Sequence, residues 1–278
     1  MKKISVLLLV LLSTTIVLAQ KKEKISGSKT IINKQKNTKN FSAIEVEDNL
    51  IISLERGEYP EIKIEADDNL IDVIDIDVTD NVLHLSTSKK VIKSKSLKVK
   101  ITYTELLNSI TSKNDAVINV IQEILTNNLS IKSFDNSKIF MNANTKNFVL
   151  QADGNSKIEL NLKSEKAKIE LIKDAELKSL ITINDLALDM YQKTKAKIEG
   201  TANTSIIRLE NNAVLEAPKL EINSIELITE GQSKAIINSK KDILINASEK
   251  SEVELYGDAK IELNKFTEKA KLSKKQTL

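Results

Sequence analysis

The chain of 278 residues contains no cysteine and no tryptophan, and only one histidine, two prolines and six glycines. Without cysteine there is no disulfide, no thiolate nucleophile and no thiolate metal site. A single histidine, His84, rules out a multi-histidine metal centre. Arginine occurs only as Arg56 and Arg208, and aromatic residues make up 3% of the chain. Nucleic-acid binders concentrate arginine for bidentate contacts and set stacking aromatics beside it, so this composition argues against a nucleic-acid partner. Tyr103, Tyr191 and Tyr256 are too scattered to build a sugar-stacking platform. Motifs for phosphate cradles, zinc proteases and nucleophile elbows are missing. No catalytic, cofactor-binding or metal-ligating residue is therefore assigned, and no cofactor is expected. What is present is 41% apolar and 29% charged residues at a net charge of +3, the composition of a globular protein.

Residues 1–19 begin with Lys2 and Lys3, continue in an apolar run over 4–12 and a second over 16–18, and end Val17-Leu18-Ala19. The small residue at the end fits a secretory signal peptide cleaved before Gln20. The alternative is an uncleaved anchor, but about 15 apolar core residues fall short of the ~20 needed to span a bilayer. No cysteine follows the cleavage point, which excludes a lipoprotein anchor. Residues 20–40, rich in Lys, Ser and Asn, read as a flexible polar leader that cannot bury enough apolar surface to offset its ordering entropy. A contact of its lysines with anionic lipid or glycan is the sharper alternative.

The C-terminal half is organised by residues 148–160, FVLQADGNSKIEL, which recur in degraded form. Counting Phe148 as position 0, apolar or small residues fall at 0, +2, +4, +8, +10 and +12. Copies start at Asn108, Leu129, Phe148, Ala167, Leu186, Ser205, Ile225 and Ile243, mostly 19 residues apart. Position +2 is Ile or Leu in every copy. Position +8 is always small: Ala116, Ser137, Ser156, Ala175, Thr194, Ala213, Ser233, Ser251. A fixed period of this length signals stacked units, none of which can bury its apolar face alone. The breaks at +5 to +7, such as Asp153-Gly154-Asn155 and Glu230-Gly231-Gln232, favour tight turns and positive φ. A parallel β-solenoid of about 19 residues per coil and a meander of antiparallel hairpins both fit this pattern. The constant small residue at +8 favours the solenoid, because a tight inward corner needs it and a hairpin does not.

Before the repeat, short alternating segments AIEV, LIISLE, EIKIEA, VLHLS and LKVKITY are bounded by turn residues such as Asp67-Asp68-Asn69 and Thr79-Asp80-Asn81. Their alternation predicts strands with one buried and one wet face. This ordering resembles the N-terminal signature of the bacterial head GIN domain family of auto-transporter adhesins. The matching residues are Phe41, Ile44, Val46, Gly57, Ile62, Ile64, Ala66, Asp68, Asn69, Leu70, Leu83 and Leu85. The likeness covers 41–266 and leaves 267–278 as a polar tail that covers or trails from the last coil. It departs from the family at 112–116, SKNDA, where a Ser-Gly pair is usual; Asn114 or Asp115 is expected to adopt the left-handed conformation instead. The resemblance implies an all-β, right-handed β-helix, exported to the periplasm or cell surface of a Gram-negative-like bacterium. It implies binding or adhesion, with a cell-surface glycan or protein as partner class.

Candidate sites come from the outward columns. Position +3 stacks Glu170, Asp189 and Arg208, which could serve as an acid–base pair of a polysaccharide lyase or hydrolase, or hold Ca²⁺. The competing expectation is a solvated cross-strand ion ladder. Position +9 gives a partly basic stripe, Lys138, Lys157, Glu176, Lys195 and Lys234, suited to an anionic glycan or to solubility alone. His84 should point outward with no nucleophile near it. Phe140, Val214 and Ile236 should also face outward and could form a patch for a partner. A periplasmic scaffold or stress sensor is the remaining functional alternative.

Overall fold

The structure, a computed structural model, describes residues 22–276. The expected signal peptide lies outside the described residues. Strands follow the repeat along the chain: Lys138–Ala152, Lys157–Leu171, Glu176–Met190, Lys195–Leu209, Val214–Thr229 and Lys234–Ala247. Each pairs in parallel with the next, and Ile158, for example, lies beside Leu177 on the following coil, a step of 19 residues. The chain is a β-solenoid of about nine turns, and the antiparallel meander is excluded by the parallel register. Parallel ladders satisfy backbone groups between coils, so length comes from repetition rather than from one wide core.

The turn at +5 to +7 explains much of this regularity. Asn114, Asp135, Gly154, Lys173, Gln192, Asn211, Gly231 and Glu249, all at +6, have φ between 58° and 79°. Asn114 thus takes the conformation that the missing glycine would have supplied. The turns also bond to one another: the Asp174 N–H donates to the Gly154 carbonyl at 3.0 Å, and the Lys193 N–H to Lys173 at 2.8 Å. Just after each turn the +8 residue points inward, and all eight are 0% exposed. Three of these buried hydroxyls, on Ser156, Thr194 and Ser233, have no hydrogen-bond partner. A buried unpaired hydroxyl costs about 1 kcal/mol or more, and Ala already fills the same place at 116, 175 and 213. Ser156→Ala should therefore raise the midpoint of thermal unfolding by a few degrees, followed by far-UV circular dichroism. A drop in midpoint would mean that the hydroxyl has a bonding role after all.

Two inward columns go beyond those read from the sequence. Alternation continues past +12, so Ala143, Leu162 and Ile181 at +14 and Thr145, Ile183 and Ala202 at +16 are buried too. The alternation breaks a second time before the next coil, where pairs such as Glu165 and Lys166 are exposed. One coil is irregular. Lys197 aligns with Glu216, but Gly200 aligns with Leu220, so a bulge of one residue lies beside Pro218.

The N-terminal end is closed by a different arrangement. Ala43–Val46 and Ile51–Arg56 pair in parallel with Ser109–Ser112 and Val117–Val120 and so start the solenoid. Beyond them lie Val82–Thr87 and Leu97–Tyr103, then the antiparallel partners Ile74–Thr79 and Glu61–Asp67. Asp80 and Asn81, both at positive φ, turn the hairpin between Ile74–Thr79 and Val82–Thr87. A 3-10 turn, Asp68–Val73, buries Leu70, Ile71 and Val73 under this lid.

The N-terminal leader differs from the sequence expectation. The leader is not free chain: Lys24–Ser26 pairs with Lys90–Lys93, and Ile31–Asn37 runs antiparallel to Glu61–Asp67. The physical reason is that order here comes from backbone pairing and polar anchoring rather than apolar burial; six of the seven residues of Ile31–Asn37 are exposed. In the tail, Lys271–Lys274 adds a last parallel strand onto Glu252–Tyr256.

Candidate binding face

With the coils in register, outward side chains stack into columns, and some of their charges pair along them. Glu170, Asp189 and Arg208 do occupy consecutive rungs. However, the Arg208 guanidinium donates to the Asp189 carboxylate at 3.2 Å, which makes Asp189 part of a cross-strand ion pair. On the +9 stripe, Lys157 lies 3.1 Å from Glu176 and Lys234 lies 2.8 Å from Glu254; Val214 interrupts the row. His84 is exposed, with Glu45 and Asp77 beside it on neighbouring strands. Phe140, Val214 and Ile236 face outward and are half-buried, but they stand on separate coils among Glu159, Lys195 and Glu216, so they form no common patch. Tyr103 is instead part of the core, where burial raises its pKa. Among the described residues no group of three or more His, Cys, Asp or Glu is placed to hold a metal.

Sequence reading missed the amide ladders. The Asn147 amide donates to Asn128 at 2.9 Å, Asn161 to Asn142 at 2.7 Å, and Asn155 to Asn136 at 3.1 Å. Thr145 and Ser164 hydroxyls meet at 3.0 Å. Their signal was the 19-residue spacing of asparagine, which the search for apolar columns passed over.

One place interrupts the smooth wall of coils. The turn after Leu97–Tyr103 projects Glu105 and Leu106, while Leu107 beside them is buried. Three adjoining concavities share this projection, the largest about 940 Å³. Leu106 and Leu125 are 51% and 50% exposed there. Around them stand Arg56, Lys146, Lys163, Asn127, Asn144 and Thr182. Among the described residues Arg56, Lys146 and Lys163 make no ion pair, and Glu105 and Glu165 line the same concavity. A second trough, about 560 Å³, runs between Phe140 and Leu180. Its Lys178 and Glu159 already lie 3.8 Å apart, so less charge is free to meet a ligand. The shelf at Leu106 can offer an unengaged guanidinium, two lysines, two carboxylates, amides and a small apolar step.

Among the described residues no helix is long and apolar enough to cross a membrane. A comparison with curated proteins gives no match. Solved structures do match. A "putative adhesin" from Parabacteroides merdae superposes with a TM-score of 0.70 at 17% identity, covering 91% of this chain and 99% of its own. A "putative adhesin" from Parabacteroides distasonis gives 0.71 at 16% identity, covering 90% and 100%. A "Putative lipid binding protein" from the same species gives 0.58 at 13%, covering 91% and 97%. At such identities these likenesses speak for the fold alone. The family model described as "Putative auto-transporter adhesin, head GIN domain" matches residues 40–178 and again 159–259, and with most of its length so matched the chain belongs to that family.

Proposed function

We propose that this protein is a non-catalytic binding module of the cell envelope, exported to the periplasm or cell surface, and that it holds its ligand on the shelf at Leu106. The observation that carries this reading is Arg56. Of the two arginines, Arg208 is tied into an ion ladder, whereas Arg56 stands exposed and without an ion partner among the described residues, where the concavities meet. A guanidinium is suited to bidentate contact with carboxylate or sulfate, and Lys146 and Lys163 bring the same concavity to three cations against the two carboxylates of Glu105 and Glu165. The ligand class is accordingly an anionic glycan, with amide and hydroxyl groups of the shelf meeting its hydroxyls. The lack of tryptophan fits recognition by charge and hydrogen bonding rather than by ring stacking.

The test is retention of the protein on immobilised acidic and neutral polysaccharides, read for wild type, Arg56→Ala and Leu106→Ala. Both side chains are exposed, so neither change should alter the melting curve. Affinity for the acidic polysaccharide should fall about tenfold in Arg56→Ala. Equal binding by wild type and variant, or none by wild type on a broad panel, would sink the assignment. Protease digestion of intact against lysed cells tests location separately: cleavage on intact cells supports surface capture, and protection until lysis a periplasmic role.

A further inference from the structure

The two ends of the solenoid are finished differently. At the N-terminal end the core columns are covered, with Ile62, Ile64, Leu83, Leu85 and Ile101 at most 1% exposed, although Ile31 and Ile32 of the outermost strand are 38% and 41% exposed. At the C-terminal end the last coil consists of Lys260–Phe266 and Lys271–Lys274, each paired on one side only, with Lys234–Ala247 and Glu252–Tyr256. Ile261 aligns with the buried Ile243 and Leu263 with the buried Ile245, so both occupy core columns. Yet Ile261, Leu263 and Phe266 are 38%, 49% and 37% exposed. Among the described residues nothing covers the core column at this end, and the edge strand beside it has N–H and C=O groups that pair with none of them. Natural edges are commonly blunted by charges pointing inward; here the inward residues are apolar and the charges point out.

We infer that this end docks against the same end of a second copy, edge strand to edge strand, around a two-fold axis at Ile261. A head-to-tail stack is disfavoured because the opposite end is closed. Two identical edges related by a two-fold axis run antiparallel, which makes the contact self-complementary and closed at two chains. An axis at Ile261 sets Ile261 against Ile261 of the partner subunit and extends the apolar column. On the outer face it sets Lys260 against Glu262 of the partner subunit, twice by symmetry, so the charge pattern Lys-Ile-Glu answers itself. An axis at Leu263 would instead place Ile261 against the partner's Lys265, so the first register wins. Lys265, Lys271, Lys274 and Lys275 do not oppose this, because each faces an acidic residue of its own chain, with Lys271 2.9 Å from Glu252 and Lys275 3.7 Å from Glu254.

The full chain recovered after export should sediment as a concentration-dependent dimer in equilibrium ultracentrifugation. Lys260→Glu and Glu262→Lys should each weaken the dimer about tenfold, because two attractive pairs become repulsive. The double exchange, Lys260→Glu with Glu262→Lys, should restore it. Ile261→Lys should give a monomer with an unchanged circular dichroism spectrum, since the strand is terminal. A monomeric wild type at high micromolar concentration, a larger open-ended assembly, or a dimer indifferent to the charge exchange would each overturn the inference.

Discussion

Gly200→Ala should lower stability by roughly 3–5 kcal/mol, the largest loss expected from a single methyl group in this chain. Gly200 lies in Lys195–Leu209 with φ at 119°, a backbone conformation that side chains rarely adopt. A Cβ there would stand 2.0 Å from the carbonyl oxygen of Ile181, its ladder partner on the preceding coil. That atom is backbone and held in the ladder, so it has little freedom to withdraw. The conformation follows from the bulge on the next coil: the extra residue between Glu216 and Leu220 has to be absorbed where Gly200 meets Leu220. Strain at positive φ and overpacking each contribute about 1–3 kcal/mol, and the expected loss lies in the middle of their sum. In a chain of this size that corresponds to a fall of roughly 10 °C in melting midpoint. Gly231→Asn is the informative control. Its φ of 77° is near the 62° of Asn211 and 61° of Glu249 in the same turn column, but a Cβ there would stand 2.7 Å from the Asn211 carbonyl oxygen, so its cost should be about 2 kcal/mol, below that of Gly200→Ala. Equal melting of both variants would show that the bulge is not the strained point.

The same comparison shows which parts of the fold were legible beforehand. The +8 column was readable because a tight corner excludes every large residue, leaving Ala116, Ser137, Thr194 and the others as a visible rule. The positive-φ column was readable from Gly154 and Gly231, although Lys173 and Gln192 obey it without any sequence cue. Position +14 was hidden because Gly200 breaks its apolar run, and +16 because Thr145 and Ser164 dilute it. The bulge showed only as a 20-residue interval between Ser205 and Ile225; nothing in the letters placed it at Gly200. The shelf was harder still. Arg56 and Leu106 are about 50 positions apart and approach only because Ile51–Arg56 and Leu97–Tyr103 pair in parallel. Periodicity reports what repeats, and a binding site at the start of a solenoid does not repeat.

The leader strands carry the second large effect, through one carboxylate. Asp67 is 0% exposed and accepts hydrogen bonds from the N–H groups of Lys29 at 2.9 Å, Lys95 at 3.1 Å and Ser96 at 2.9 Å. Next to it Asn69 accepts from the Ser28 N–H at 2.8 Å and donates to the Ser26 carbonyl at 2.9 Å. These side chains come from the Asp67-Asp68-Asn69 turn, so a segment legible only as a turn is also the clasp for residues 26–29. With so little apolar burial in Ile31–Asn37, the clasp decides whether that strand stays on the lid. The Ser96 N–H, helped by those of Lys29 and Lys95 and by the Lys95 charge, holds the Asp67 carboxyl below its ordinary value of 3.8 in spite of burial. A folded pKa below the unfolded one means that ionised Asp67 stabilises the clasp above the ordinary value, and that this contribution disappears as pH falls through the folded value. The protection factors of the Ile31–Asn37 amides, that is their exchange rates relative to the unfolded chain at the same pH, should therefore be high at pH 7 and fall below about pH 4, ahead of those of the repeat strands. Asp67→Asn replaces one acceptor oxygen by a donor facing N–H groups. In that variant the same amides should exchange at least tenfold faster at pH 7, while Lys157–Leu171 keeps its protection. Protection of Ile31–Asn37 that survives the substitution at neutral pH would mean that backbone pairing with Glu61–Asp67 is enough to hold the leader, and that Asp67 only decorates it.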